Sequence, residues 1–305
     1  MDRLFLGIAD TNNCAFMVVG DSSGEIVFAG IGGSVNHRCW GINQAKLNLH
    51  SMIEAVGAEI RSRIAGVCFT YIKEHQITQE EVLPVVSGLV EEAAVHVEDL
   101  ATTGALGLHS PKERLFLMGD RLGLAILLSE GGQRHEVRQG ELLWNSRRDH
   151  EDFSHIQELH ENEQCLSDLA QALDCLASQG SPWALGVAYD IACDLVRLVV
   201  RLGNRFSRPD PVIGFCGPLL LGSETIRQRV QYLLSLLFPQ AEVISAPLAP
   251  AKGAYLSSLL TRKTELRPEV LTTFYNSARN VTQRGWLDFV INISKSAERN
   301  CCQVV

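Results

Sequence analysis

Leu4-Phe5-Leu6-Gly7-Ile8-Ala9-Asp10-Thr11-Asn12-Asn13-Cys14-Ala15-Phe16-Met17-Val18-Val19-Gly20-Asp21-Ser22-Ser23-Gly24-Glu25-Ile26-Val27-Phe28 is three apolar runs parted by two short polar breaks. Runs rich in Val, Ile and Phe, bounded by Asp, Asn, Ser and Gly, predict strands, and breaks this short predict a three-stranded antiparallel meander. The second break, Asp21-Ser22-Ser23-Gly24, is ordinary turn chemistry. The first, Asp10-Thr11-Asn12-Asn13, contains no glycine.

Outward from the meander, Gly32-Gly33-Ser34-Val35-Asn36-His37 is expected as a glycine-rich loop. Leu49, Ile53, Val56 and Ile60 then recur at i, i+4, i+7 and i+11, which predicts a helix from about Gln44 to Ala65. Gly66 to Tyr71 reads as a short buried strand ending in the polar loop Lys73-Glu74-His75-Gln76. Thr78-Gln79-Glu80-Glu81 has capping-box spacing, so a helix is expected to start there, with Val82, Val85, Val86 and Leu89 inward and a kink or split at Pro84. Val95 to Asp99 is a strand that ends on two carboxylates, followed by a small-residue helix from Ala101 to Leu108.

The second half opens as the first does. Leu115 to Leu128 predicts two strands around the polar turn Gly119-Asp120-Arg121-Leu122. Arg134 to Glu163 is charged and poor in apolar residues and is expected to be loops and a linker. Leu166, Leu169, Leu173 and Leu176 mark one amphipathic helix, Val187, Ile191, Leu195, Leu198 and Leu202 a second, and Ile226, Val230, Leu234 and Leu237 a third. Pro211 to Gly217 is a strand entering a glycine turn, Val243 to Pro247 a last strand, and Ala249 to Tyr255 opens a small-residue helix. Beyond Arg267 a terminal helix is expected, with Leu271, Phe274 and Trp286 docking back.

With 305 residues the chain is long enough for two domains. Its 27 basic and 35 acidic residues, net charge -8, leave no electrostatic footprint for nucleic acid or an anionic membrane. No apolar run reaches membrane-spanning length, and the first residues enter a strand directly, so a cytoplasmic protein is expected. The nine cysteines include no CxxC pair; Cys14, Cys68, Cys193 and Cys216 read as small buried residues in a reducing compartment, and no metal ligand set is evident. The end Cys301-Cys302-Gln303-Val304-Val305 fits a lipidation signal poorly.

The order of these elements, with LGIADTNNCAFMVVGDSSGEIVFAGIGGSVNH, VHVEDLATTGAL, LFLMGDRLGLAILLSEGG, VIGFCGPLLLGSETIRQRV and APLAPAKGAYLSSLL, resembles the N-acetylglucosamine kinase family, the BadF/BadG-type ATPases of the actin, heat-shock protein and sugar kinase superfamily. The resemblance covers residues 4 to 262. It implies an α/β, two-lobed actin-like fold of ribonuclease H-like domains with an interdomain cleft: an N-terminal lobe over 1–110, a C-terminal lobe over 111–262, and a tail over 263–305 docking on the C-terminal lobe or on a dimer partner through Trp286, Phe289, Val290 and Ile291. Asn36 and His37 match a sugar-contacting loop, and Asp99 matches the carboxylate that takes the proton from the attacking hydroxyl. Gln76, Trp144 and His96 are further candidates to line the substrate. On the nucleotide side stand Asp10, Asn13, Gly119, Asp120, Gly217 and Gly253. Each has a plainer explanation: a helix N-cap for Asp99, loop capping for Asn36 and His37, and tight strand–helix turns for the glycines.

The departures from the family carry as much weight. Its first hairpin tip is an acid, glycines and Thr, because glycine lets backbone N–H groups close around phosphate. Here Ala9 falls where the acid belongs and Asp10-Thr11-Asn12 replace the glycines. The second tip has Asp120 in place of a small hydroxyl residue, and a carboxylate facing a phosphate repels it by roughly a few kcal/mol at an effective dielectric near 20. Only Trp144, in Glu141-Leu142-Leu143-Trp144-Asn145-Ser146, matches the third glycine-rich element. The expectation is a sugar-kinase-like protein that has lost ATP-dependent transfer, needs no cofactor, and binds or converts another small molecule, with Asp99 as acid or base. One alternative is a divergent kinase of an amino sugar or related metabolite, using ATP and Mg with Asp10 slipped into the acid's role. Another is a non-catalytic regulatory or scaffold protein.

Overall fold

The structure, a computed structural model, describes residues 3–11, 14–71, 79–86, 93–108, 110–120, 123–129, 133–138, 166–261 and 267–280. The opening meander is β1 (Leu4–Asp10), β2 (Cys14–Asp21) and β3 (Ile26–Gly33). Two short helices, α1 (His37–Trp40) and α3 (Ala58–Arg61), flank the longer α2 (Ile42–Val56). β4 (Ile64–Tyr71), α4 (Gln79–Val86), β5 (Ala94–Asp99) and α5 (Leu100–Gly107) complete the first half. The second half has β6 (Arg114–Met118), β7 (Leu124–Leu128), β8 (Arg134–Arg138), α6 (Leu166–Ser178), α7 (Pro182–Gly203), β9 (Val212–Cys216), α8 (Pro218–Gly222), α9 (Glu224–Leu237), β10 (Glu242–Ser245) and α10 (Ala249–Leu260). A further helix, α11, covers 268–280.

The strands form two five-stranded sheets, ordered β3-β2-β1-β4-β5 and β10-β9-β6-β7-β8. Read from the other side, the second sheet repeats the first: an antiparallel meander, then two strands parallel to the meander's first strand. The resemblance between the two hairpins in the sequence is therefore one part of a duplicated β-β-β-α-β-α-β plan.

Four expectations are corrected. The helix expected to Ala65 stops at Val56, because Gly57 takes φ +89° and breaks the backbone run, so β4 already begins at Ile64. Gly32 and Gly33 are not loop but the end of β3, paired with Ala15 and Cys14. Arg134 to Arg138 is not linker but an edge strand; charged residues suit it because one edge pairs with β7 while side chains reach water. Cys68 and Cys216 are buried as expected, whereas Cys14 and Cys193 are only partly so. The capping Thr78, Leu89, the segment 139–165 and Trp286 lie outside the described residues.

Each half ends in a helix that packs on the sheet of the other half. α10 lies on the first sheet: Tyr255 closes on Gly20, and its hydroxyl donates to Asp21 O at 2.6 Å. α5 lies on the second, with Gly104 under Phe116 and Leu108 over Gly214. The two helices cross at van der Waals contact of their backbones. A methyl group on Gly253 would sit 1.8 Å from Thr103 O, and one on Gly107 equally close to Ala249 O. One apolar cluster therefore runs from Phe5 and Ala9 of the first sheet through Ala101, Ala105, Ala251 and Tyr255 to Phe116 and Met118 of the second. Separate clusters fill the outer faces, under α2 in the first half and under α6, α7 and α9 in the second.

Candidate functional site

In an open sheet with parallel strands, ligands bind beyond the carboxyl ends where the strand order reverses. In the first sheet that place is β1, with the meander on one side and β4 and β5 on the other. Ala9, Thr70 and Glu98 are in register there, and Tyr71 lies beside Asp99. Alternation puts Asp10, Tyr71 and Asp99 on the α2 side, following Ile8, Phe69 and Val97, which pack in that cluster.

Asp10 is buried, and its carboxylate holds the next loop. Ser34 Oγ donates to Oδ2 at 2.8 Å, Val35 N at 2.5 Å and Asn36 N at 3.2 Å. Asn48 Nδ2 donates to Ser34 O from α2 and fixes the loop on its other side. Asn36 is fully buried in consequence. The tip itself is closed by Thr11, whose N–H and Oγ1 both donate to Cys14 O at 3.0 Å, so the turn forms without glycine.

Past the loop, α1 begins with His37, whose Nε2 stands 4.0 Å from Glu81 Oε1 on α4. Tyr71 completes this corner. Its ring stacks on Phe69, and its hydroxyl is buried with no partner among the described residues. Burial pushes its pKa well up, and the charges of Asp10 and Glu81 add to that, so the phenol stays protonated and able to donate.

Asp99 ends β5 and caps α5: Oδ2 accepts from Thr102 N at 3.1 Å and from Thr102 Oγ1 at 2.8 Å. Oδ1 is buried with no partner among the described residues. The plainer reading of Asp99, a helix N-cap, is what the geometry shows for one oxygen, and the cap leaves the other buried and unused among the described residues. Arg134 Nη2, at the start of β8 in the second sheet, lies 3.9 Å from Oδ2 and also binds Glu136. Burial raises the Glu98 pKa and the adjacent Asp99 charge raises it further, against the pull of Arg134.

The second sheet presents its own carboxyl ends. Asp120 Oδ1 accepts from Gly123 N at 2.7 Å and closes the β6–β7 turn. Gly119 and Gly217 lie backbone to backbone: Gly217 has φ +120°, and a Cβ there would meet Gly119 O at 2.6 Å. A Cβ on Gly119 would instead meet the Leu220 side chain at 2.7 Å. Gly253 belongs to the helix crossing, and its lack of a side chain is accounted for there. Cys14 and Cys216 bring the ends of the two sheets together in the central cluster; burial raises both thiols to about 12 and keeps them protonated.

Of the residues singled out in the sequence, the structure brings Asp10, Asn36, His37 and Asp99 to the carboxyl end of the first sheet. It puts Gly119, Asp120 and Gly217 at the corresponding end of the second. His96 faces away from the Asp99 row, 3.3 Å from Ser257 Oγ under α10. Asn13, Gln76 and Trp144 lie outside the described residues. Tyr71, Glu81, Glu98 and Arg134 were not anticipated. In the sequence Tyr71 is the last residue of a buried strand and Arg134 part of a charged stretch; strand register sets Tyr71 beside Asp99, and the meeting of the two sheets brings Arg134 to it. No group of three or more His, Cys, Asp or Glu side chains among the described residues is arranged to hold a metal ion. No helix among them is long and apolar enough to cross a membrane.

No protein-family model and no curated protein sequence matches this chain. Solved structures do resemble it. A candidate N-acetylglucosamine kinase from Chromobacterium violaceum matches with a TM-score of 0.56 at 15% identity, over 85% of this chain and 99% of its own. Component A of (R)-2-hydroxyglutaryl-CoA dehydratase from Acidaminococcus fermentans matches at 0.53 and 14%, over 85% and 98%. A ROK-family glucokinase from Streptomyces griseus, solved with glucose and AMPPNP, matches at 0.51 and 14%, over 84% and 99%. The chain has the two-lobed α/β fold of the actin-like ATPases and sugar kinases.

Proposed function

We propose that this chain is a kinase-fold protein, related to the N-acetylglucosamine kinase group, that binds or converts a hydroxyl-bearing small molecule at the carboxyl end of its first sheet and has lost ATP-dependent phosphoryl transfer. The observation that carries the loss is the engagement of both tip carboxylates. Asp10 accepts three hydrogen bonds from the loop at 34–36, and Asp120 closes its own turn on Gly123. Phosphoryl transfer rests almost wholly on positioned backbone donors and cations around the phosphates. A Cβ on Gly217 would strike Gly119 O, and one on Gly119 would strike the Leu220 side chain, so packing within the protein accounts for both glycines. These residues do not fit ATP and Mg, and no step is derived through them.

What remains is acid–base chemistry. Asp99 is held by Thr102 through one oxygen, and the other, buried and without a partner among the described residues, is the acceptor assigned here to a proton or a ligand hydroxyl that reaches it. Tyr71, kept protonated by burial, stands in the next strand as a donor. A buried strand end supplies the rigidity that such a base needs.

A divergent kinase of an amino sugar or related metabolite is the second reading, favoured by the same unpartnered oxygen of Asp99, which suits a base for an attacking hydroxyl. Calorimetry with Mg-ATP separates the two. We expect no binding tighter than about 100 μM, a free energy of about 5.5 kcal/mol, and no sugar-dependent ADP release. Tight binding with ADP release that Asp99→Asn abolishes would overturn the proposed loss and establish the kinase.

A further inference from the structure

α7 carries more apolar surface than its place in the fold uses. Val187, Ile191, Leu195, Leu198 and Leu202 face the core of the second half. A helix covered on one side ordinarily turns polar residues to water on the other. On α7 that other side carries Leu185, Tyr189, Cys193 and Val200, at i, i+4, i+8 and i+15, with the buried Val196 completing the row. Leu185, Tyr189 and Val200 are 40%, 45% and 44% exposed. The row follows a helix of 22 residues, about 33 Å long.

α9 packs alongside and widens this surface. The Arg229 guanidinium lies over the Tyr189 ring, 5.8 Å from its centroid. Tyr232 and Leu236, one and two turns further along α9, are 59% and 60% exposed. A contiguous apolar surface of this extent marks an interaction site more often than a bare exterior.

The charges beside the row say what covers it. Asp190 and Arg197 follow Tyr189 and Val196 by one residue each, so both stand on the same flank, two turns apart. When two such helices pair antiparallel across a two-fold axis, the same flank of each faces the other with its direction reversed. Asp190 of each chain then meets Arg197 of the other, and the contact occurs twice. Arg197 is already held for this: it is 61% exposed, and its Nη1 donates to Asp194 Oδ1 at 2.5 Å. Asp194 is buried, and its Oδ2 has no partner among the described residues. Taking water away from Arg197 strengthens its attraction for that carboxylate.

We propose that two copies of this chain associate through α7 and α9, with the α7 helices antiparallel about a two-fold axis between Cys193 and Asp194. Asp190 of each copy faces Arg197 of the partner subunit, and Tyr189 and Val200 are buried between them. A different protein would have to present the same charge pair reversed on an apolar helix, whereas a second copy does so by symmetry. The contact is complementary to itself and closes at two chains.

Sedimentation velocity of the full chain tests this. The expected mass is twice the 33.6 kDa of one chain, with a dissociation constant below about 10 μM. Asp190→Arg and Arg197→Asp, each setting like charges against one another, are each expected to weaken association at least about tenfold, and the two combined to restore it to within about threefold of wild type. Tyr189→Glu is expected to leave a monomer whose far-ultraviolet circular dichroism is that of wild type. A single-chain mass in wild type up to about 100 μM overturns the proposal. So does a dimer that Tyr189→Glu leaves intact, or a folded double variant that associates no more tightly than either single variant.

Discussion

Single residues at the site are each held by one short-range device. The carboxylate of Asp10 serves a loop 24 residues away, and that of Asp99 serves the helix it begins. Lys252 departs far from its ordinary state: burial in α10 pushes its pKa down to about 7. The unfolded chain keeps the ordinary value of about 10.4, so between these limits the unfolded state binds the proton and the folded state does not. Stability contributed at this position therefore rises with pH through that window and is flat below about pH 7. Subtracting the unfolding free energy of Lys252→Met from that of wild type should leave a positive slope of up to about 1.4 kcal/mol per pH unit. Urea titrations at pH 7 and pH 9.5 measure it, and a flat difference would mean that the amine remains solvated.

The decisive element-scale feature is the crossing of α5 and α10. Leu100-Ala101-Thr102-Thr103-Gly104-Ala105-Leu106-Gly107 and Ala249-Pro250-Ala251-Lys252-Gly253-Ala254 have small residues where large ones would ordinarily provide packing. The reason is that each helix is covered on both sides, by its crossing partner and by a sheet. Gly253→Ala should destabilise the chain by about 1–3 kcal/mol through forced separation of the helices, against the usual gain of Ala over Gly in a helix. A lowered urea midpoint at unchanged m-value would bear this out. A midpoint that rises would show that the crossing is slack. The sequence marks this helix as rich in small residues, and the resemblance puts Gly253 on the nucleotide side. Only the register of the two helices shows that the neighbour is Thr103.

At the scale of the molecule, the exchanged helices and the shared cluster make the two halves one mechanical unit. We expect one cooperative unfolding transition, since neither sheet keeps its inner face covered without the helix of the other half. Hydrogen exchange under increasing urea should show the slowest amides of β1 and β6 converging on the same free energy. Two separate plateaus would mean two independent domains. Arg134, which reaches from β8 to Asp99, adds little to this union, because it is partly exposed and shared with Glu136.

The sequence by itself determined every strand but the charged edge strand β8, most helices and the duplicated hairpins. Those follow from local periodicity and turn chemistry, written within a few residues of each element. It also put Asp99 at a strand end, because a carboxylate pair closing an apolar run is visible locally. The tertiary structure alone decided what those residues face. Tyr71 joins Asp10 and Glu81 only when parallel strands come into register, and Arg134 reaches Asp99 only when the second sheet's edge meets the first. The same holds for the small residues of α5 and α10, whose neighbours lie some 150 residues apart in the chain. Long-range pairing of this kind leaves no periodic trace in the sequence.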